Sequence, residues 1–222
     1  MGEVHALRIK SPYKLLHVED IKITNKSNEH GRLYLKCLID DSSNFKYSIE
    51  ASTKDEITVY EENESDNNSE TDINKVDESR STVLFNGLID SIKTTNENGI
   101  YYLEIEGISK TSILDVEKKS RSFQNLNMTY EELIALILKD YGDLGFIQNV
   151  GCGVKLKGPI FQYNETDWEL LLRICRELNG VLYCDIINLN NLFYFGISEG
   201  KIYFFGGVKY VRSFYNSRYT FW

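Results

Sequence analysis

Leu33, Leu35 and Cys37 alternate with Arg32, Tyr34 and Lys36, the two-residue period of a strand with one buried face. With KLLHVEDIKITN before the polar KSNEHG, residues 13–39 read as strand, turn, strand. FKYSIEA (45–51) and EITVYEE (56–62) are two more strand candidates. Residues 81–109 then read as a hairpin, because two β-rich runs flank TNENG. There Asn98 and Gly99 supply the positive φ that a tight turn requires. The first part of the chain is therefore expected to be an antiparallel β domain, residues 1–118.

The period then changes. In NMTYEELIALILKDYGD, Leu133, Ile134, Leu136, Ile137 and Tyr141 share one helical face. Thr129 and Glu132 have the T-x-x-E spacing of a capping box, and Gly142 is a natural stop. Residues 119–158 are thus expected as a helical connecting segment. PIFQYNETDWELLLRICRELNG repeats the grammar: Thr166 caps, Glu169 closes the box, and Trp168, Leu171, Leu172, Cys175 and Leu178 form the apolar face. Glu169 with Arg173, and Arg173 with Glu177, are spaced as solvent-side ion pairs. Asn179-Gly180 ends this helix, expected over 167–179. VLYCDII, NLFYFGIS and KIYFFGGVKYVRSFY return to strands, so residues 159–222 are expected as a second β domain. Gly-Ile-Ser occurs at 107–109 and again at 196–198, a faint echo between the halves.

Charge changes this picture in one place. The chain of 222 residues carries a formal net charge of -8, which disfavours general binding to nucleic acid or anionic membrane. Between Glu61 and Glu78, eight acids face a single Lys, so nearly all the excess sits there. Residues 61–82 hold almost nothing to bury and are expected as a mobile acidic loop. Asp66, Asp72 and Asp77 are hard-ion ligand types, yet the loop has no Gly and lacks the order of a calcium-binding loop. No stretch is long and apolar enough for a membrane span, and the N-terminus has no secretion-signal pattern.

Candidate chemistry is sparse. Glu165, Asp167 and Glu169 are the one acidic cluster beside a Trp. Acids in the first turn of a helix sit at its positive end and stay ionised, the opposite of what a general acid requires. They are therefore read as helix-starting residues. His5, His17 and His30 lack partners at metal-ligand spacing. Cys37, Cys152, Cys175 and Cys184 have no CxxC spacing and are expected as free, mostly buried thiols. Lys201, Lys209, Arg212 and Arg218 alternate with aromatics near the C-terminus, a pattern of polar strand faces before one of single-stranded nucleic-acid binding. No catalytic residue, cofactor or metal is expected.

Three segments together resemble a known family. Phe85 and Gly87 in VLFNGLIDSI, then Arg121, Phe123, Gln124 and Asn125, then Gln162, Tyr163, Glu165, Thr166, Asp167 and Trp168 look like the signature of VgrG / phage late-control D hub proteins of contractile injection systems. The resemblance spans about residues 80–195. It implies a mainly β fold with a helical connection: two antiparallel β-barrel-like domains, the second of them open to being incomplete. It further implies a non-catalytic homotrimeric ring joining a hexameric tail tube to a trimeric spike, in contact with other baseplate proteins. Such a protein is made in the bacterial cytoplasm and assembled into a phage tail, tail-like bacteriocin or related machine. Family members usually continue into a further small domain, so the resemblance implies either a shortened chain or the N-terminal part of a longer hub. A cell-wall-degrading tail hydrolase and a carbohydrate-binding β module are the alternatives.

Overall fold

The computed structural model describes residues 6–40, 55–62, 81–142, 144–197, 201–205, 208–212 and 219–221. FKYSIEA, His5, Asp66, Asp72, Asp77 and Arg218 lie outside them. The fold is mainly β with a helical connection. The chain forms two compact units, Met1–Lys22 with Leu33–Gly107, and Ile23–Arg32 with Ile108–Trp222.

The first unit is built on one six-stranded sheet in the order β1-β4-β5-β6-β3-β2. Its strands are β1 (Ala6–Lys10), β2 (His17–Thr24), β3 (Arg32–Leu38), β4 (Glu56–Glu62), β5 (Ser81–Glu97) and β6 (Ile100–Ser109). β1 is a strand that the sequence pattern did not single out; it pairs antiparallel with β4 from Ala6↔Glu62 to Lys10↔Thr58. β5 and β6 meet at Asn98 (φ 54) and Gly99 (φ 85), the left-handed pair that a two-residue hairpin turn needs. Leu33, Leu35, Cys37, Ile57, Val59, Phe85, Leu103 and Ile105 form the core. The opposite face is polar: Lys36 pairs with Glu97 at 2.7 Å and lies over the Tyr102 ring. Glu61 and Glu62 belong to β4, and Ser81 and Thr82 to β5, which narrows the acidic segment outside the described residues to 63–80.

The second unit holds β7 (Lys118–Phe123), α1 (Tyr130–Leu138), β8 (Gly145–Gln148), β9 (Ile160–Thr166) and α2 (Asp167–Glu177). β10 (Val181–Cys184), β11 (Leu192–Ile197), β12 (Lys201–Phe205), β13 (Val208–Arg212) and β14 (Tyr219–Phe221) follow. A short 3-10 helix, Lys110–Asp115, precedes β7. β7 and β9 make a two-stranded antiparallel ribbon, and β12-β13-β14 a three-stranded antiparallel sheet. Segment 119–158 thus contains strands as well as a helix. β8 runs parallel to β11, so the sheet β10-β11-β8 is mixed rather than purely antiparallel.

Both helices carry complete capping boxes, Thr129 with Glu132 and Thr166 with Glu169. Their buried faces are rotated from the sequence reading. α1 buries Tyr130, Leu133, Ile134, Ile137 and Leu138 and leaves Leu136 43% exposed. α2 buries Leu170 and Ile174 in place of Leu172 and Leu178. It ends at Glu177, where Asn179 adopts φ 57. The Gly-Ile-Ser echo is not a repeated backbone: Gly196 has φ 89, whereas Gly107 has no positive φ and packs under Leu33 and Phe85.

Candidate functional site

The ribbon β7–β9 runs directly into α2, and this junction gathers the acidic cluster and half of the signature residues. Register pairs Arg121 with Gln162 and Lys119 with Glu165. Alternation along β7 then turns Lys119, Arg121 and Phe123 inward while Lys118, Ser120 and Ser122 face out. Asp167, the first residue of α2, is fully buried against them.

Every oxygen of that carboxylate is used. Oδ1 accepts from Arg121 and, at 2.9 Å, from Gln162 Nε2. Oδ2 accepts from Tyr141 OH at 2.6 Å and from Lys119 Nζ at 3.0 Å. Gln162 completes the circuit, accepting from Arg121 Nε at 2.7 Å and donating to the Glu165 carbonyl at 3.0 Å. Burial works to raise the Asp167 pKa, but the hydrogen bonds from Tyr141, Gln162 and Lys119 and the Arg121 charge outweigh it and hold the carboxyl below its usual range. Burial and the bond to Asp167 push the Tyr141 phenol up. Lys119 is raised as well, since its bonds to Asp167 and Tyr141 together exceed the effect of burial.

The neighbouring acids have separate tasks. Glu169 accepts from the Thr166 N–H at 2.8 Å, while Thr166 Oγ1 accepts from the Glu169 N–H at 3.1 Å and donates to Asp115 at 2.6 Å. Glu165 is bound by Arg173. This corrects the expected Glu169–Arg173 pair: Glu169 is committed to the cap, and Arg173 reaches Glu165 and the Phe161 carbonyl instead. The expected Arg173–Glu177 contact is present at 3.9 Å. Trp168 is buried, 4.3 Å from the His30 ring and edge-on to Phe193.

The remaining signature positions are dispersed. Phe85 and Gly87 lie buried in β5, in the first unit. Phe123 is buried under Arg121, 5.4 Å above its ring. Gln124 is exposed and donates to Ser122. Asn125 turns the chain toward α1 by accepting from the Asn127 N–H at 3.1 Å. Tyr163 is 85% exposed. Lys119 and Asp115 were not singled out from the sequence. The alternation of Lys119 with Arg121 was the available signal, and Tyr141 was read for its ring rather than its hydroxyl.

Chemically the junction is a rivet. It holds an ionised carboxylate with no spare lone pair, cations already paired, and a phenol kept protonated. Nothing in it is poised to donate a proton to, or attack, a substrate. The four cysteines are free, with Cys152 exposed and the other three buried. Burial pushes the Cys37 and Cys175 thiols up to about 12, far from the thiolate that nucleophilic or metal-binding cysteines use. No cluster of three metal-ligating side chains occurs among the described residues. No helix among them is long and apolar enough to cross a membrane. A cleft of about 360 Å³ in the first unit is lined by Leu7, Ile9, Leu15, Leu16, His17 and Val18.

No family model matches the chain, and no curated protein does. Solved structures do. The 43 kDa tail protein of prophage MuSo2 from Shewanella oneidensis superposes with a TM-score of 0.63 at 18% identity, over 89% of this chain and 55% of its own. The tail protein from Neisseria meningitidis MC58 gives 0.55 at 13% identity, over 86% of this chain and 50% of its own. The chain thus spans about half the length of the tail proteins it resembles. Its fold is the one found in these tail proteins.

Proposed function

We propose that this chain is a structural baseplate hub component of a phage tail or tail-like particle. Three copies form a ring that joins the hexameric tail tube to the trimeric spike, with other baseplate proteins around it. The observation that carries the reading is the shared fold with the MuSo2 tail protein across 89% of the chain. The rivet at Asp167 fits it, because this buried carboxylate is spent on fastening a ribbon to a helix rather than on chemistry. Arg121, Gln162, Glu165, Thr166, Asp167 and Trp168 serve this scaffold, and Phe85 with Gly87 serve the first sheet. Rigid β units suit a ring whose output is matched surfaces, since large homo-oligomer interfaces are built from shape and apolar area.

Sedimentation velocity of the purified chain, alone and with tail tube protein, tests this. A trimer, or trimerisation on adding tube subunits, is expected, together with no turnover of peptidoglycan. A chain that stays monomeric and ignores tube protein, or one that cleaves cell wall, overturns the reading.

A further inference from the structure

Away from Asp167 the second unit contains another buried polar chain, centred on His30 in the turn between β2 and β3. The His30 side chain is 10% exposed. Its Nδ1 lies 2.9 Å from Thr111 Oγ1, which is 2.8 Å from Ser109 Oγ and 3.0 Å from Cys184 Sγ. Ser109 Oγ accepts from the Gly31 N–H at 3.1 Å, and the Gly31 carbonyl accepts from the Ser109 N–H at 2.9 Å. The same turn is tied to β10: Asn25 Nδ2 donates to the Cys184 carbonyl at 2.8 Å, and Asn28 exchanges hydrogen bonds with Leu182 at 2.7 and 3.0 Å.

His30 Nε2 is the loose end. It is buried and has no hydrogen-bond partner among the described residues, with Asp115 Oδ2 at 3.6 Å as its facing charge. A carboxylate opposite Nε2 favours the neutral tautomer with the proton there, so that Nδ1 accepts from the Thr111 hydroxyl. Thr111 has one proton to give. A second proton on His30 converts Nδ1 to a donor, and the Thr111 hydroxyl must then turn to Ser109 or Cys184. The same proton places a full charge in a slot walled by the Trp168 ring.

We propose that this chain of side chains is a proton-operated latch: neutral His30 holds the β2–β3 turn in place, and protonating it loosens that turn. Among the described residues, the charged groups acting on the ring are Asp115 from the 3-10 helix and Arg32 at the start of β3, and the Cys184 thiol of β10 is joined to it through Thr111. The Lys26–Glu29 pair sits on the exposed side of the turn. Burial is the largest influence and lowers the His30 pKa; Asp115 opposes it in part and Arg32 adds to it. A base with a lowered folded pKa binds its proton better when unfolded. The hold is therefore complete above the unfolded histidine value of about 6.5 and weakens as pH falls below it.

Amide hydrogen exchange at Asn28, Gly31, Ser109 and Leu182, corrected for intrinsic rates, reads the latch directly. Exchange in the unaltered chain is expected to be severalfold faster at pH 5.5 than at pH 7.5, with the His30 ring titrating below 6.5 by NMR. His30→Gln should abolish the difference, and Asp115→Asn should lower the His30 titration point further. Equal exchange at the two pH values, a His30 titration at or above 6.5, or a difference that persists in His30→Gln overturns the proposal. The NMR titration needs no variant to fold, and none of these outcomes bears on the hub reading.

Discussion

Thr166 does two jobs with one hydroxyl, accepting from the Glu169 N–H and donating to Asp115. Thr166→Ala removes both and is expected to cost about 1–2 kcal/mol, read as a shift of the urea midpoint, while Thr166→Ser keeps the oxygen and stays close to the unaltered chain. Asp167 carries more. With Arg121 and Lys119 packed on a fully buried carboxylate, Asp167→Asn leaves two cations without their anion and is expected to cost about 3 kcal/mol or more. Its pH signature is distinct. Asp167 has a lowered folded pKa, so its stabilisation is present above the unfolded carboxyl value of about 3.9 and is lost as pH falls through that value toward the folded one. Denaturation midpoints measured from pH 6 down to pH 2 should therefore fall less steeply in Asp167→Asn. An equal slope in both proteins would show that the fold does not lower the Asp167 pKa.

The helices were legible because their signals are local: each cap, box and stop lies within a few residues of the turn it controls. Their burial stripes were less so. In LIALIL four of six residues are buried, and a nearly continuous apolar run leaves the choice of face to packing partners distant in sequence. β7 was missed for a different reason. KKSRSF shows no apolar alternation, because its inward positions Lys119 and Arg121 are paired to a carboxylate that lies more than forty residues away. A sequence pattern read by hydropathy alone sees two polar faces. β8, parallel to β11, depends on a non-local partner that nothing nearby announces. Two glycines separate conformational strain from packing. Gly99 (φ 85) has open space where a side chain would point, whereas Gly196 (φ 89) would drive one into Val150. Gly99→Ala should cost about 1–2 kcal/mol of strain, and Gly196→Ala that plus a clash of about 1–3 kcal/mol. Thermal melts of the two variants, compared side by side, isolate the second contribution.

Charge acts on the chain as a body. Residues 63–80 contain six acids and two bases, so replacing them moves the formal net charge from -8 to -4. The sheet allows that replacement, since Glu62 and Ser81 are directly paired partners at the ends of β4 and β5, the flanking pair that a two-residue Asn-Gly turn closes. Folding of the first unit should survive the exchange, with a melting temperature within a few degrees of the original. Assembly should not respond so evenly. In the proposed ring, three copies of an acidic chain repel one another, and raising salt from about 0.1 M to about 1 M shrinks the screening length from about 10 to about 3 Å. The unaltered chain is expected to associate more tightly as salt rises, and the Asn-Gly variant should lose much of that dependence while associating more tightly at low salt. Sedimentation equilibrium across a salt series makes the comparison. If both proteins show the same salt slope, the acidic segment does not oppose assembly; if the original loosens with salt, attraction between unlike charges rather than repulsion governs its contacts.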